Sequence, residues 1–206
     1  MNGDLLIRFL AGGAVLLATG PLMLFCFFPG VVRAWFEAGP EGIDAAAPPL
    51  AREVVASLTQ MGFQPLGVKI EKTPLRAPVR ELSFVAADRR CYAAVAVNRL
   101  RAPFYFYTPL PTGGLVLTSN GAFPRISTPR LVQCSYPGGE PQAILDHHLQ
   151  ALASLGQGGE VDPNPEARIE ATYTYYRAPE VRSVLRRTGG VVLIFVILVG
   201  WLLTRG

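Results

Sequence analysis

Hydrophobic positions along this chain fall into three regimes. From Phe9 to Val32 they run almost without a polar break. From Leu50 to Leu155 they alternate with polar positions at strand or helix spacing. From Thr188 to Thr204 they run on with no charged residue. At a rise of 1.5 Å per residue, the first run makes a helix of roughly 36 Å and the last one of roughly 25 Å, against a bilayer core of about 30 Å. Val184 and Leu185 extend the last run, since the stems of Arg186 and Arg187 can reach back to the headgroups. The pattern therefore predicts two membrane spans, at residues 9–32 and 184–204.

The first span carries Pro21 and Pro29, which kink a lipid-embedded helix rather than end it. A cleaved signal peptide has a shorter apolar region, a more basic lead and a small-residue cleavage site, so residues 1–8 read as a retained polar N-terminus. Gly12, Gly13 and Gly20 offer a close approach for the second span, and Trp35, Phe36 and Trp201 suit the interface.

Between the spans, residues 33–49 read as a linker rich in Gly and Pro. Leu50 to Met61 has helical spacing through Val54, Val55, Leu58 and Met61, and Gly62 is placed to end it. Strand alternation follows at Leu66–Lys72, Arg80–Ala87, Arg90–Asn98, Phe104–Thr108, Leu115–Ser119 and Leu131–Tyr136. Glu140–Leu155 is again helical, with Pro141 in its first turn. Glu166–Arg177 fits both periods and is assigned as a juxtamembrane helix, within a connecting region at 157–183. The expected fold class is α+β: residues 50–156 form an antiparallel sheet of five to six strands packed by flanking helices, bracketed by the two spans. Short links between strands point to a meander.

Composition sharpens this picture. Of the 206 residues 50% are hydrophobic and only 17% charged, where a soluble domain carries about 25%. The net charge of +4 comes with no basic run interleaved with aromatics, which argues against a nucleic-acid partner. Arg33, Arg177, Arg182, Arg186 and Arg187 flank the middle domain, while the outer ends hold Arg8 and Arg205. The positive-inside rule then predicts an integral protein of the inner or plasma membrane with its domain in the cytoplasm.

Candidate chemistry is sparse. The segment from Thr108 to Arg125 is dense in hydroxyls, an amide and turn residues, so Thr118, Ser119, Asn120 and Arg125, with His147, form the candidate ligand site. The plain alternative is a strand between two turns, with Asn120-Gly121 as the second. Adjacent helical residues point about 100° apart, so His148 belongs to the apolar stripe while Asp146 and His147 face water. The acids, Glu71 and Glu81 among them, read as single residues on outer faces. In an oxidising compartment Cys91 and Cys134 are a candidate disulfide, and the plainer expectation is two unpaired structural cysteines. No cysteine and histidine spacing suits a metal, and no phosphate-binding or nucleophile-elbow motif occurs, so no cofactor is expected. Half of the aromatics in Phe104–Tyr107, with Tyr173, Tyr175 and Tyr176, are expected to face outward as a contact patch.

The sequence thus leads to a two-span protein whose domain is a non-catalytic binding or assembly module, with the bilayer and a membrane-associated protein as partners. The alternative is a membrane-bound enzyme or small-ligand carrier with a polar pocket around Thr118–Asn120.

Overall fold

The computed structural model describes residues 3–73, 77–97, 102–156 and 159–205. Asn98, at the end of one expected strand, lies outside them, as do Met1 and Asn2. The uncharged N-terminal run forms helix α1 (Gly3–Phe27), with Pro21 inside it. Pro29 opens a short 3₁₀ turn, so this helix stops short of the expected Val32.

The expected linker at 33–49 instead contains strand β1 (Arg33–Ala38) and helix α2 (Ile43–Ala46). Arg33–Ala38 alternates exposed and half-buried positions, a strand period that the Gly and Pro content after it masks. Phe36, expected at the interface, packs on the domain core. Helix α3 (Pro49–Gln60) follows, and Gly62 ends it at φ +85°, as its composition predicts.

Strands β2 (Phe63–Lys72), β3 (Val79–Ala86), β4 (Tyr92–Val97), β5 (Phe104–Pro109) and β6 (Leu115–Ser119) form the expected antiparallel meander. Strands β7 (Ile126–Ser127) and β8 (Leu131–Ser135) complete the sheet. It has eight strands in the order β1-β2-β3-β4-β5-β6-β8-β7 and is mixed, because β8 runs parallel to β6. The eleven residues from Asn120 to Arg130 carry the chain back to the starting end of β6, which a tight hairpin cannot do. At Gly67 (φ +134°) the sheet bulges, and a side chain there would strike the Ala38 carbonyl.

Both faces of the sheet are covered. On one, Leu82, Phe84, Val95 and Phe106 pack on α3 and α4 (Pro141–Ser154) through Ala51, Leu58 and Ile144. On the other, Val85, Tyr92 and Leu117 lie under α5 (Pro165–Arg177) and the first turn of α6 (Pro179–Arg205), which buries Val181. The segment assigned as a juxtamembrane helix is therefore the second cover of the sheet.

Two helices are long and apolar enough to cross a membrane: Leu10–Phe27, with mean hydropathy 2.0, and Pro179–Leu203, with mean hydropathy 1.8. Their apolar side chains are exposed, among them Leu17, Ile194, Leu198 and Trp201. A core helix of a soluble domain would bury these. The two helices touch at Gly189, where a Cβ would lie 2.9 Å from that of Cys26 and 3.0 Å from the Phe27 ring. Among the described residues no atom lies within 4 Å of a Cβ placed at Gly12, Gly13 or Gly20, so the close contact uses a different glycine from those expected.

A buried charge cluster under helix α5

Strand alternation sends Val68 of β2 into the first core, buries Ile70 two residues on, and turns Lys69 and Glu71 toward the other face. The β2–β3 register puts Glu81 directly opposite Lys69. Tyr105 and Tyr107 rise from β5 on this same face. Helix α5 closes over them. Asn164 caps it by accepting from Glu166 N–H at 3.0 Å, and Pro165 sits in its first turn. Arg168, Ala171, Thr172 and Tyr175 then form one stripe at three- and four-residue steps against the sheet.

The result is a compact ionic network. Lys69 Nζ lies 2.7 Å from Glu81 Oε2 and 3.4 Å from Glu71 Oε2, and donates to Thr172 Oγ1 at 2.9 Å. Arg168 donates through Nη1 to Thr172 Oγ1 and through Nη2 to the Tyr105 hydroxyl, each at 2.9 Å. Tyr105 donates in turn to Glu81 Oε2 at 2.8 Å, and Tyr176 donates to Glu71 Oε1. The Arg168 guanidinium carbon sits 5.6, 5.9 and 5.3 Å from the ring centres of Tyr92, Tyr105 and Tyr107. Such ring faces attract a desolvated cation. Arg168 Nε has no hydrogen-bond partner among the described residues.

Burial alone would raise the Glu81 pKa, but the Lys69 and Arg168 charges beside it, with hydrogen bonds from Lys69 and Tyr105, hold it below the ordinary value. The phenols move the other way. Burial and then the neighbouring carboxylate, Glu81 or Glu71, push Tyr105 and Tyr176 well above the usual range. The same causes raise Tyr175 to about 12. These hydroxyls stay protonated: Tyr105 and Tyr176 donate to carboxylates, and Tyr175 donates to the Gln133 side-chain oxygen at 3.2 Å.

A cavity of about 160 Å³ opens onto this network, lined by all four charged side chains and walled by Tyr105, Tyr175, Tyr176 and Phe123. Lys69 and Arg168 lie at its floor, each side chain 1% exposed; Glu71, at 15%, is the carboxylate nearer solvent. The cavity adjoins the first apolar helix, because the Phe25 ring meets the Tyr176 ring edge-on at 5.9 Å.

The residues singled out from sequence do not share a site. Thr118 is buried, 3.1 Å from His148 Nδ1, and Thr108 lies 2.9 Å from Nε2. The Thr108 hydroxyl donates to the Arg90 carbonyl at 2.8 Å, so Nε2 carries the proton and Nδ1 accepts from Thr118. This is a neutral, sealed histidine, its pKa lowered to about 3 by burial. Ser119 donates to the Phe104 carbonyl at 2.8 Å and Asn120 Oδ1 accepts from Phe104 N–H at 2.7 Å, so both fasten a strand end. Arg125 is exposed beside a separate shallow cleft, and His147 stacks on Tyr136 at 4.2 Å.

Cys91 and Cys134 are free thiols. The order β4-β5-β6-β8 puts Cys91, at the start of β4, three strand spacings from Cys134, or about 14 Å at 4.8 Å per spacing. A disulfide spans less than about 7 Å between Cα atoms. Tyr105 and Tyr107 lie beneath α5 rather than on an outer patch. Glu71 and Glu81 share one network rather than standing singly outside. No group of three or more His, Cys, Asp or Glu residues suited to a metal occurs among the described residues.

Comparison with protein-family models, with curated proteins and with solved structures gave no match to this chain.

Proposed function

We propose that this is a two-span integral membrane protein that holds its α+β domain at the bilayer surface as a non-catalytic binding module, with its site in the cavity under α5. The observation that carries the reading is the solvent-open cavity over three buried charges and the half-buried Glu71, placed next to the first apolar helix. An ion network of this kind costs desolvation energy and is a weak source of stability. Perturbed ionisable groups gathered with specific charge partners in a cleft are candidates for a functional site.

Binding fits the chemistry better than turnover. Acid–base catalysis wants two groups whose pKa values are pushed apart around the working pH. Here Glu81 is held ionised and the phenols protonated, and the buried His148 has no route to a substrate. The side chains of Thr118, Ser119 and Asn120 are committed to internal bonds, which removes support from a pocket there. The exposed arginines Arg33, Arg182, Arg186 and Arg187 stand on the domain side of the apolar helices, which supports a cytoplasmic domain.

The test is thermal unfolding of the full chain in mild detergent against a library of small polar metabolites. At least one compound should raise Tm saturably, lose that effect in Glu71→Gln, and be recovered chemically unchanged after long incubation. A library with no such compound contradicts the binding reading, and recovery of a converted product contradicts the non-catalytic one.

A further inference from the structure

We infer that the cavity takes a small zwitterion: a primary ammonium joined through a short linker to a carboxylate or phosphate. The inference rests on the cavity being a binding site. Three features select this ligand chemistry.

The first is charge balance. Lys69 and Arg168 face Glu71 and Glu81, so the four side chains cancel. A lone ion entering a desolvated, balanced network leaves one charge uncompensated, which is costly. A ligand of zero net charge with separated poles leaves the balance intact.

The second is the distribution of unused hydrogen-bonding capacity. The Lys69 ammonium has three N–H groups and three acceptors, Glu81, Thr172 and Glu71, so it has none to spare. The guanidinium beside it is different: Arg168 lines the cavity, and its buried Nε lacks an acceptor among the described residues. That is the complement of an anionic oxygen. At the solvent side, Glu71 accepts from Tyr176 and makes only the long 3.4 Å contact with Lys69. A carboxylate has room for about four hydrogen bonds, so Glu71 can accept an ammonium. The rings of Tyr175 and Tyr176 line the same cavity, and aromatic rings attract a cation.

The third is size. At roughly 30 Å³ per water, the cavity of about 160 Å³ holds on the order of five water-sized groups. That suits an amino acid or an ethanolamine phosphate and falls below the roughly 300 Å³ typical of larger ligands. Two sources offer this chemistry: free amino acids, and the headgroup of phosphatidylethanolamine, which the contact between Tyr176 and Phe25 places within reach.

The experiment titrates the full chain in phosphatidylglycerol nanodiscs with four probes, glycine, the methyl ester of phosphoethanolamine (a phosphodiester, so of zero net charge), ethanolamine and acetate, read by Tm and by tyrosine fluorescence. At least one zwitterion should bind saturably, at least tenfold more tightly than either single-charge probe. Glu71→Gln should weaken it tenfold or more, measured from that variant's own ligand-free Tm. Tyr176→Phe, which keeps the carboxylate and the ring, should retain the preference for a zwitterion. If the phosphoethanolamine ester binds, the titration is repeated in nanodiscs containing phosphatidylethanolamine. A diminished response there assigns the lipid headgroup, and an unchanged one assigns a free compound. Ethanolamine or acetate binding as tightly as the zwitterions overturns this inference and leaves the binding-module reading standing. Silence toward all four probes, with a different compound found in the metabolite library, does the same; silence in both screens overturns both.

Discussion

Lys69 Nζ stands 2.7 Å from Glu81 Oε2, directly across the β2–β3 register, and both side chains are buried beneath α5. Removing one partner leaves the other charge in a desolvated site. Lys69→Met should therefore cost about 3–5 kcal/mol. Lys69→Met combined with Glu81→Gln should cost less than the sum of the two single changes, because neither uncompensated charge remains. Denaturant unfolding of the four proteins in detergent measures the coupling. Additive losses would show that the pair does not interact.

Arg168→Lys is not a conservative change here. An ammonium cannot reach Thr172 and the Tyr105 hydroxyl together while lying over three rings. The expected loss is about 2–3 kcal/mol, with a changed near-ultraviolet circular dichroism signal from the tyrosines. Wild-type stability and an unaltered tyrosine signal would refute the cage.

The sealed His148 makes acid sensitivity predictable. Its folded pKa of about 3 lies below the ordinary 6.5. Between those values the unfolded chain binds a proton that the folded chain does not, so stability falls as pH falls. The slope approaches 1.4 kcal/mol per pH unit, about the value of one proton. Glu81 adds to this at lower pH. Its contribution is complete above the usual carboxylate pKa of 4.5 and is lost as pH drops through the depressed folded value. His148→Gln should flatten the profile between pH 6.5 and 4.5 and leave the loss below it. A wild-type profile already flat in that window would contradict the assignment.

At high pH the sign reverses. Tyr105 and Tyr176 keep their protons well above the usual value of 10 because burial and a neighbouring carboxylate oppose phenolate. The unfolded chain releases those protons near pH 10 and the folded chain does not. Their contribution is whole below pH 10 and declines as pH rises above it. Ultraviolet difference titration against Tyr105→Phe and Tyr176→Phe should show the phenolate of these two residues appearing together with unfolding. Phenolate formed in the still-folded protein at ordinary pKa would contradict the buried network.

Much of the fold is legible in the sequence because most elements announce themselves by period. Leu82, Phe84 and Ala86, like Cys91, Ala93 and Val95, alternate cleanly into one core, and Gly62 stops α3 as its position requires. The buried charge cluster is hidden by the same logic. Alternation shows that Lys69, Glu71 and Glu81 share the face opposite that core, but whether that face meets water depends on α5. The stripe of α5 that covers it is Arg168, Ala171, Thr172 and Tyr175, which a hydrophobicity pattern does not mark. The one available signal was that β5 offers Tyr105 and Tyr107 to a face read as outer, where two adjacent large phenols ask for cover. The Thr118–Asn120 segment misled in the reverse direction, because its polar groups serve His148 and Phe104 inside the domain.

Contact between the two apolar helices depends on one missing side chain. Gly189→Leu would drive atoms into Cys26 and Phe27, which a Cβ alone already approaches within 2.9 and 3.0 Å. Cross-linking between cysteines introduced in the two helices should fall at least severalfold in this variant, while the same change at Gly12, where nothing lies within 4 Å, should leave it unchanged. Equal effects at the two positions would rule out the packing seen at Gly189.

The most direct test of the whole account is sidedness labelling of variants carrying one accessible cysteine with a membrane-impermeant maleimide in intact cells. Cys134→Ser removes the one native cysteine that is not buried, and new cysteines replace Asn2, Ser154 or Gly206. Two spans with a cytoplasmic domain predict labelling at positions 2 and 206 from outside, and at 154 only after the membrane is opened. Labelling of 154 on the same side as either end, or release of the protein by an alkaline carbonate wash, would contradict it.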